Sequence, residues 1–215
     1  MAFYDDALDT GQPEETMSAA AVEQHHPTLL EVADRMSDQL IGHRVEIIGG
    51  QITVTPPANR PHSRVLARMN DAMVAAGLQS DQTEVLQAVG VWLPEGPSDY
   101  AIPDLAVLDV GPGDDEDDYV AFGCYDPAIF RMVLEVTSSN LSDDLKKKPA
   151  AYAGAGIPVY VIVDRKNEKV MVLTDPSDGE YRVHAVHHRG QSFTLPESIG
   201  AAVTLSVDGV LGEKD

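Results

Sequence analysis

The segment Phe130–Val136, FRMVLEV, limits the fold more than any other part of the chain. A strand with one face in water alternates apolar and polar residues, whereas this run and its predecessor Leu105–Val110, LAVLDV, are apolar almost throughout. Such strands have to be covered on both faces, so they read as central strands of a sheet with helices on either side. Glu135 lies inside the first run. A carboxylate is costly to bury without a partner, which puts this residue at the head of the candidate functional side chains.

The other elements supply the cover. At Thr28 a capping-box pattern with Glu31 precedes Leu29, Leu30, Val32, Ala33, Met36 and Leu40, which share one helical face. Arg44–Ile48 and Gln51–Thr55 are β-prone and flank Gly49-Gly50, a dipeptide suited to a tight hairpin turn, and Pro56-Pro57 ends the second strand. From Pro61 to Ala76, Val65, Leu66, Met69, Met73 and Ala76 recur at helical spacing, with Gly77 as a C-terminal stop. Thr83–Leu93 reads as one strand. Residues Ser138–Ala155 are helical in character up to Gly156, but Pro149 lacks an N–H and fits a first turn, so the main helix starts near Lys148. Val159–Val163, Val170–Thr174 and Tyr181–Val186 read as strands. The whole is an α/β pattern: a mixed central β-sheet flanked by helices.

Residues 1–26 mix acids, Gly, Pro and small residues without a sustained apolar period, and are expected to be a disordered acidic tail ahead of one domain over 27–215. Apolar stretches are broken by charge before the roughly 18 residues a membrane span needs, and the opening is acidic where a secretory signal is basic and then apolar. No membrane association and a cytoplasmic location are expected. The lone Cys124 fits a reducing compartment and a buried, inert role.

Asp104 precedes one central strand and Glu135 lies near the end of the other. In antiparallel neighbours, facing residues approach within about 5.5 Å. Two carboxylates that close repel each other unless a cation joins them. Mg²⁺ (or Mn²⁺) takes oxygen ligands and keeps several waters, so Asp104, Glu135 and the Val136 carbonyl would suffice as the protein's share. Such an ion acidifies water and orients phosphate. Lys148 then offers positive charge to the attacking water or the phosphate.

These pieces, VEIIGGQITVTPPANRPHS, IPDLAVLD and MVLEVTSSNLSDDLKKKPAAYAGAGIPVYVIVD, resemble the PD-(D/E)XK nuclease fold and, within it, the Uma-two restriction endonuclease group, over most of residues 28 to 175. The resemblance implies a restriction-endonuclease-like fold and metal-dependent hydrolysis of DNA, with Asp104 and Glu135 as the motif's two acids. The motif's usual lysine position, two residues after the second acid, is held by Thr137. In this branch the lysine has moved to the following helix, and Lys148, before Pro149 and Tyr152, occupies the matching position. Glu46, in VEIIGG, matches the acid that the family carries before its first hairpin turn and is a further candidate ligand of metal or water.

Each residue has a plainer reading. Asp104 could simply start a strand, Glu46 could face water on alternate strand positions, and Lys148 belongs to the run Lys146–Lys147–Lys148, which on spacing alone would be a solvated face. His62 could reach phosphate or water, but a surface or capping histidine is the commoner case, as it is for His184, His187 and His188. The formal charge of −20 opposes nucleic-acid binding, although Asp114–Asp118 and the N-terminal tail hold part of it. The leading rival is therefore a noncatalytic binding or assembly module on the nuclease fold. Paired carboxylates also serve glycoside hydrolysis, which needs neither metal nor lysine. A homodimer, which would bring two sites to the two strands of a duplex, is the candidate assembly.

Overall fold

In the computed structural model, which describes residues 26–111, 118–137 and 146–212, the run FRMVLEV forms β9 (Phe130–Val136) inside a six-stranded sheet. Its neighbours are β6 (Leu105–Asp109), antiparallel, and β10 (Val159–Asp164), parallel. Beyond β6 lies β3 (Thr83–Leu86), and beyond β10 lie β11 (Lys169–Ser177) and β12 (Glu180–His188). One parallel pair among antiparallel ones makes the sheet mixed, as expected.

Alternation along these strands sorts the core into two layers. Leu105, Val107, Met132, Leu134, Val136, Val161 and Val163 face α2 (Arg60–Ala75), which contributes Val65, Met69 and Met73. The opposite face carries Ala106, Leu108, Phe130, Val133, Tyr160 and Ile162 against Ala151 and Tyr152 of α3 (Lys148–Gly154). Each fully buried aliphatic side chain contributes about 1.5–3 kcal/mol relative to exposure, which is why strands buried twice carry no polar alternation. By this parity Glu135 is on the α3 face. Pro149 sits in the first turn of α3, where its missing N–H has no helical partner to lose.

A second six-stranded sheet was not legible in the sequence. It runs β2 (Gln51–Thr55), β1 (Arg44–Ile48), β5 (Tyr100–Ala101), β4 (Gly90–Trp92), β8 (Cys124–Tyr125) and β7 (Tyr119–Ala121). The β1–β2 hairpin turns at Gly49 and Gly50, both at positive φ (60° and 69°), as its tight turn requires. Its outer side is packed by α1 (Leu29–Gln39), whose Thr28–Glu31 capping box is formed. Ile48, Val91 and Ala101 of this sheet, with Leu93 just after β4, join the α3-side core, so the two sheets share one apolar layer.

Thr83–Leu93 is not one strand. It divides into β3 and β4, which belong to different sheets, and Ala88 between them takes positive φ (56°) as the chain crosses over. Gly90 is then pressed against β8: a Cβ there would lie 2.6 Å from Cys124 Sγ and 2.8 Å from the Gly123 carbonyl oxygen. The C-terminal hairpin β13 (Ser192–Leu195) and β14 (Val203–Ser206), with α4 (Val207–Leu211), closes the α2 side through Phe193, Leu195, Val207 and Val210. No helix among the described residues is long and apolar enough to cross a membrane. The expected tail lies outside the described residues except at its end, as does most of the acidic run 114–118.

Candidate active site

The β6–β9 register pairs Leu105 with Leu134, so one step further Asp104 stands opposite Glu135. The backbone N–H of Val136 donates to Asp104 Oδ2 at 2.7 Å, locking the first acid onto the strand that carries the second. From β1, which flanks this end of the main sheet, come Arg44 and Glu46, two residues apart and therefore on one strand face. From the opposite sides come His62 in the first turn of α2 and Lys148 at the first position of α3.

Lys148 is the hub. Its Nζ donates to Glu135 Oε1 at 2.7 Å and lies 3.1 Å from Glu46 Oε1. The Tyr152 hydroxyl, one helical turn on, donates to the same Glu135 oxygen at 3.1 Å, and the Ile102 N–H donates to Glu46 Oε1 at 2.8 Å. Lys148 is 3% exposed, Glu46 0% and Glu135 2%, which removes the solvated-face readings of Lys148 and Glu46. Lys146 and Lys147 are exposed, and Lys147 donates to Gln51 Oε1.

Asp104 forms the other half. Arg44 Nη2 reaches its Oδ1 at 2.7 Å, while His62 Nε2 sits 3.1 Å from Oδ2, at ion-pair distance but off the line a hydrogen bond needs. Burial alone would raise the Asp104 pKa, but His62, Arg44 and the Val136 N–H outweigh it and hold the carboxyl below its ordinary range. Glu135 goes the other way. Its burial, helped by the charges of Asp104 and Glu46 and opposed by Lys148 and Arg44, pushes it up to about 8. Burial would lower the Arg44 pKa, yet Glu135, Asp104 and Glu46 together raise it.

Glu46, Asp104 and Glu135 lie against Arg44, Lys148 and the His62 ring. Among the described residues the buried Glu46 Oε2 has no hydrogen-bond partner. Hard oxygen donors with an orphaned buried oxygen fit a divalent cation in chemistry. As they stand, no three His, Cys, Asp or Glu side chains among the described residues converge as a ready ligand set, and Arg44, His62 and the Val136 N–H already lie against the Asp104 oxygens. The repulsion between Asp104 and Glu135 is offset by side-chain cations, so it is the orphan oxygen, rather than that repulsion, that speaks for a metal.

All four sequence candidates, Glu46, Asp104, Glu135 and Lys148, are thus brought to one end of the β6–β9 pair. Arg44 was missed; its only local signal is its place two residues before Glu46. His62, for which a surface or capping place is the commoner expectation, is instead buried against Asp104. Asp104, Arg44 and His62 line a cleft of about 590 Å³ bounded by α2, the β1–β2 hairpin and the β10–β11 turn, while Glu46, Glu135 and Lys148 are buried and do not line it.

Two comparisons bear on this arrangement. A crystal structure described as "a putative nuclease belonging to DUF820 from Anabaena variabilis" superposes with a TM-score of 0.60 over 78% of this chain and 89% of that one; at 14% identity the likeness is one of fold. No curated protein matches the chain. A sequence profile of the Uma2 family, described as "Putative restriction endonuclease", matches residues 34–208, most of the chain and every residue of the cluster. The chain belongs to the Uma2 family.

Proposed function

We propose that the protein is a metal-dependent endonuclease that hydrolyses DNA phosphodiester bonds inside the cell. The observation that carries this reading is the buried cluster in which Glu46, Asp104 and Glu135 meet Lys148, Arg44 and His62, with its Asp104 side on a cleft. Asp104 and Glu135 would hold Mg²⁺ or Mn²⁺, with the free oxygen of Glu46 as a further donor. When bound, the ion acidifies a water and offsets charge on the phosphoryl oxygens. Lys148, released in part from Glu135, places its ammonium where negative charge develops, at the head of a helix whose burial excludes bulk water. Tyr152 keeps Glu135 in one rotamer, and Val136 does the same for Asp104.

The rival is a noncatalytic module in which the same ion pairs merely stabilise the fold. The internal pairing of Lys148 and Arg44 with all three acids favours it. Cleavage of plasmid DNA by the purified protein across Mg²⁺, Mn²⁺ and Ca²⁺, with Glu135→Ala as control, separates the two. Cutting that needs both metal and Glu135 supports the nuclease; no cutting with any metal leaves the module.

A further inference from the structure

We propose that the cleft beside Asp104 is a phosphate subsite, in which Arg165 and Lys166 hold the backbone of the nucleic-acid strand next to the reacting phosphodiester. The proposal rests on the nuclease reading for the identity of the strand. On a chain with 35 acids and 15 Lys and Arg, this cleft reverses the balance: among the described residues along its wall Asp104 is the one acid, against Arg44, Arg165 and Lys166. Arg44 is spent on Asp104. The other two have no acidic partner among the described residues: the Arg165 N–H donates to Thr137 Oγ1 at 3.3 Å and its Nη1 to Asn59 Oδ1 at 3.4 Å. Among the described residues, Lys166 makes no ion pair and is exposed. The nearby acid Asp164 is buried and turned into the β10–β11 turn, where the Asn167 N–H and side-chain amide donate to it.

Two further features favour an anion there. Asn59 caps α2, so the positive end of a sixteen-residue helix points at the same wall. Thr137, at the position where the ordinary motif has its lysine, lines the cleft and positions Arg165 instead. Among the described residues the lining contains no Phe, Tyr or Trp, so the contact would be to phosphate and independent of sequence rather than to stacked bases.

The test uses the full-length protein and a fluorescent duplex oligonucleotide. Binding is measured in EDTA between about 0.1 and 0.3 M salt, and cleavage separately with Mn²⁺. Lys166→Ala and Arg165→Gln should each weaken binding and reduce the slope of log affinity against log salt by about 0.9, and the double variant by about 1.8. Arg182→Ala, on the exposed β12 edge, should change neither. Lys166 is at the surface, so its variant keeps the test valid if Arg165→Gln fails to fold. An unchanged slope in Lys166→Ala and in any folded Arg165 variant, or a wild type that binds no DNA, overturns the proposal. If the wild type never cuts but the slope falls as expected, the nuclease reading fails and the subsite stands; if the variants cut and bind like wild type, the subsite fails and the nuclease stands.

Discussion

Lys148 neutralises two buried acids at once, and removing it should show in stability as well as in chemistry. Lys148→Met leaves Glu135 and Glu46 buried without their cation, a loss of about 3–5 kcal/mol for a broken buried pair. Because the folded Glu135 pKa is already raised to about 8, the carboxyl can take up a proton at lower pH, so urea denaturation should show a larger loss at pH 9 than at pH 6. Cleavage should fall by about 10²–10³-fold if Lys148 acts as an electrostatic donor does, while Lys146→Met and Lys147→Met retain wild-type rates. The two acids set opposite limits on stability. A raised folded pKa means that Glu135 binds more protons folded than unfolded between about 4.5 and 8, so its contribution is full at low pH and lost as pH rises through 8. Asp104, depressed by His62, Arg44 and Val136, contributes above its ordinary value of 3.8 and is lost as pH falls through its lower folded value. Glu135→Gln should therefore flatten the alkaline arm of a stability–pH profile and leave the acid arm; an unchanged alkaline arm would assign that arm elsewhere. Glu135 was legible because an acid inside an apolar strand violates the pattern. Arg44 and His62 were not, because their contact with Asp104 exists only where β1, α2 and β6 converge, and no local spacing encodes that.

At the scale of elements, what could be read were those whose signal is local: the capping box of α1, the Gly-Gly hairpin, the amphipathic period of α2, the proline that starts α3, and the doubly buried β6 and β9. What escaped was the second sheet, because its strands β4, β5, β7 and β8 are two or three residues long and are defined by their partners, not by their own alternation. Thr83–Leu93 shows the failure plainly. Propensity favours strand throughout, but the crossover needs Ala88 at positive φ and Gly90 without a side chain. Gly90→Ala should cost about 1–3 kcal/mol, since the new methyl meets backbone at Gly123 as well as the Cys124 thiol. A midpoint in denaturant equal to wild type would mean that β8 can shift freely, and that the second sheet is less tightly packed than its buried Val91 and Cys124 imply. Thr28→Ala removes one half of the α1 capping box and should cost about 1 kcal/mol in the same measurement.

For the whole molecule, the question is how a chain of net charge −20 approaches a polyanion at all. Charge is not spread evenly. Residues 1–25 hold Asp5, Asp6, Asp9, Glu14, Glu15 and Glu23 with no Lys or Arg, and Asp114–Asp118 add five acids in a row, so these two segments of sequence hold over half the net excess. The local and global fields then differ in range. Contacts in the cleft act over a few ångströms and weaken as salt rises. Repulsion from the total charge acts over the Debye length, about 30 Å at 0.01 M and about 8 Å at 0.15 M, and disappears first. Association with DNA should therefore be slowed at the lowest ionic strength, fastest at an intermediate one, and slowed again as salt competes for the cleft. A basic nucleic-acid binder shows only the final, falling limb. Stopped-flow association with a labelled duplex in EDTA from 0.01 to about 0.3 M salt would trace the curve. Replacing the six N-terminal acids by their amides, which takes the formal charge from −20 to −14, should raise the rate at the low-salt end and leave the high-salt end unchanged. A monotonic fall with salt in the wild type would mean that the cleft's field dominates at all distances; an equal gain at both ends would mean that the acidic segment competes for the cleft directly instead of acting through long-range charge.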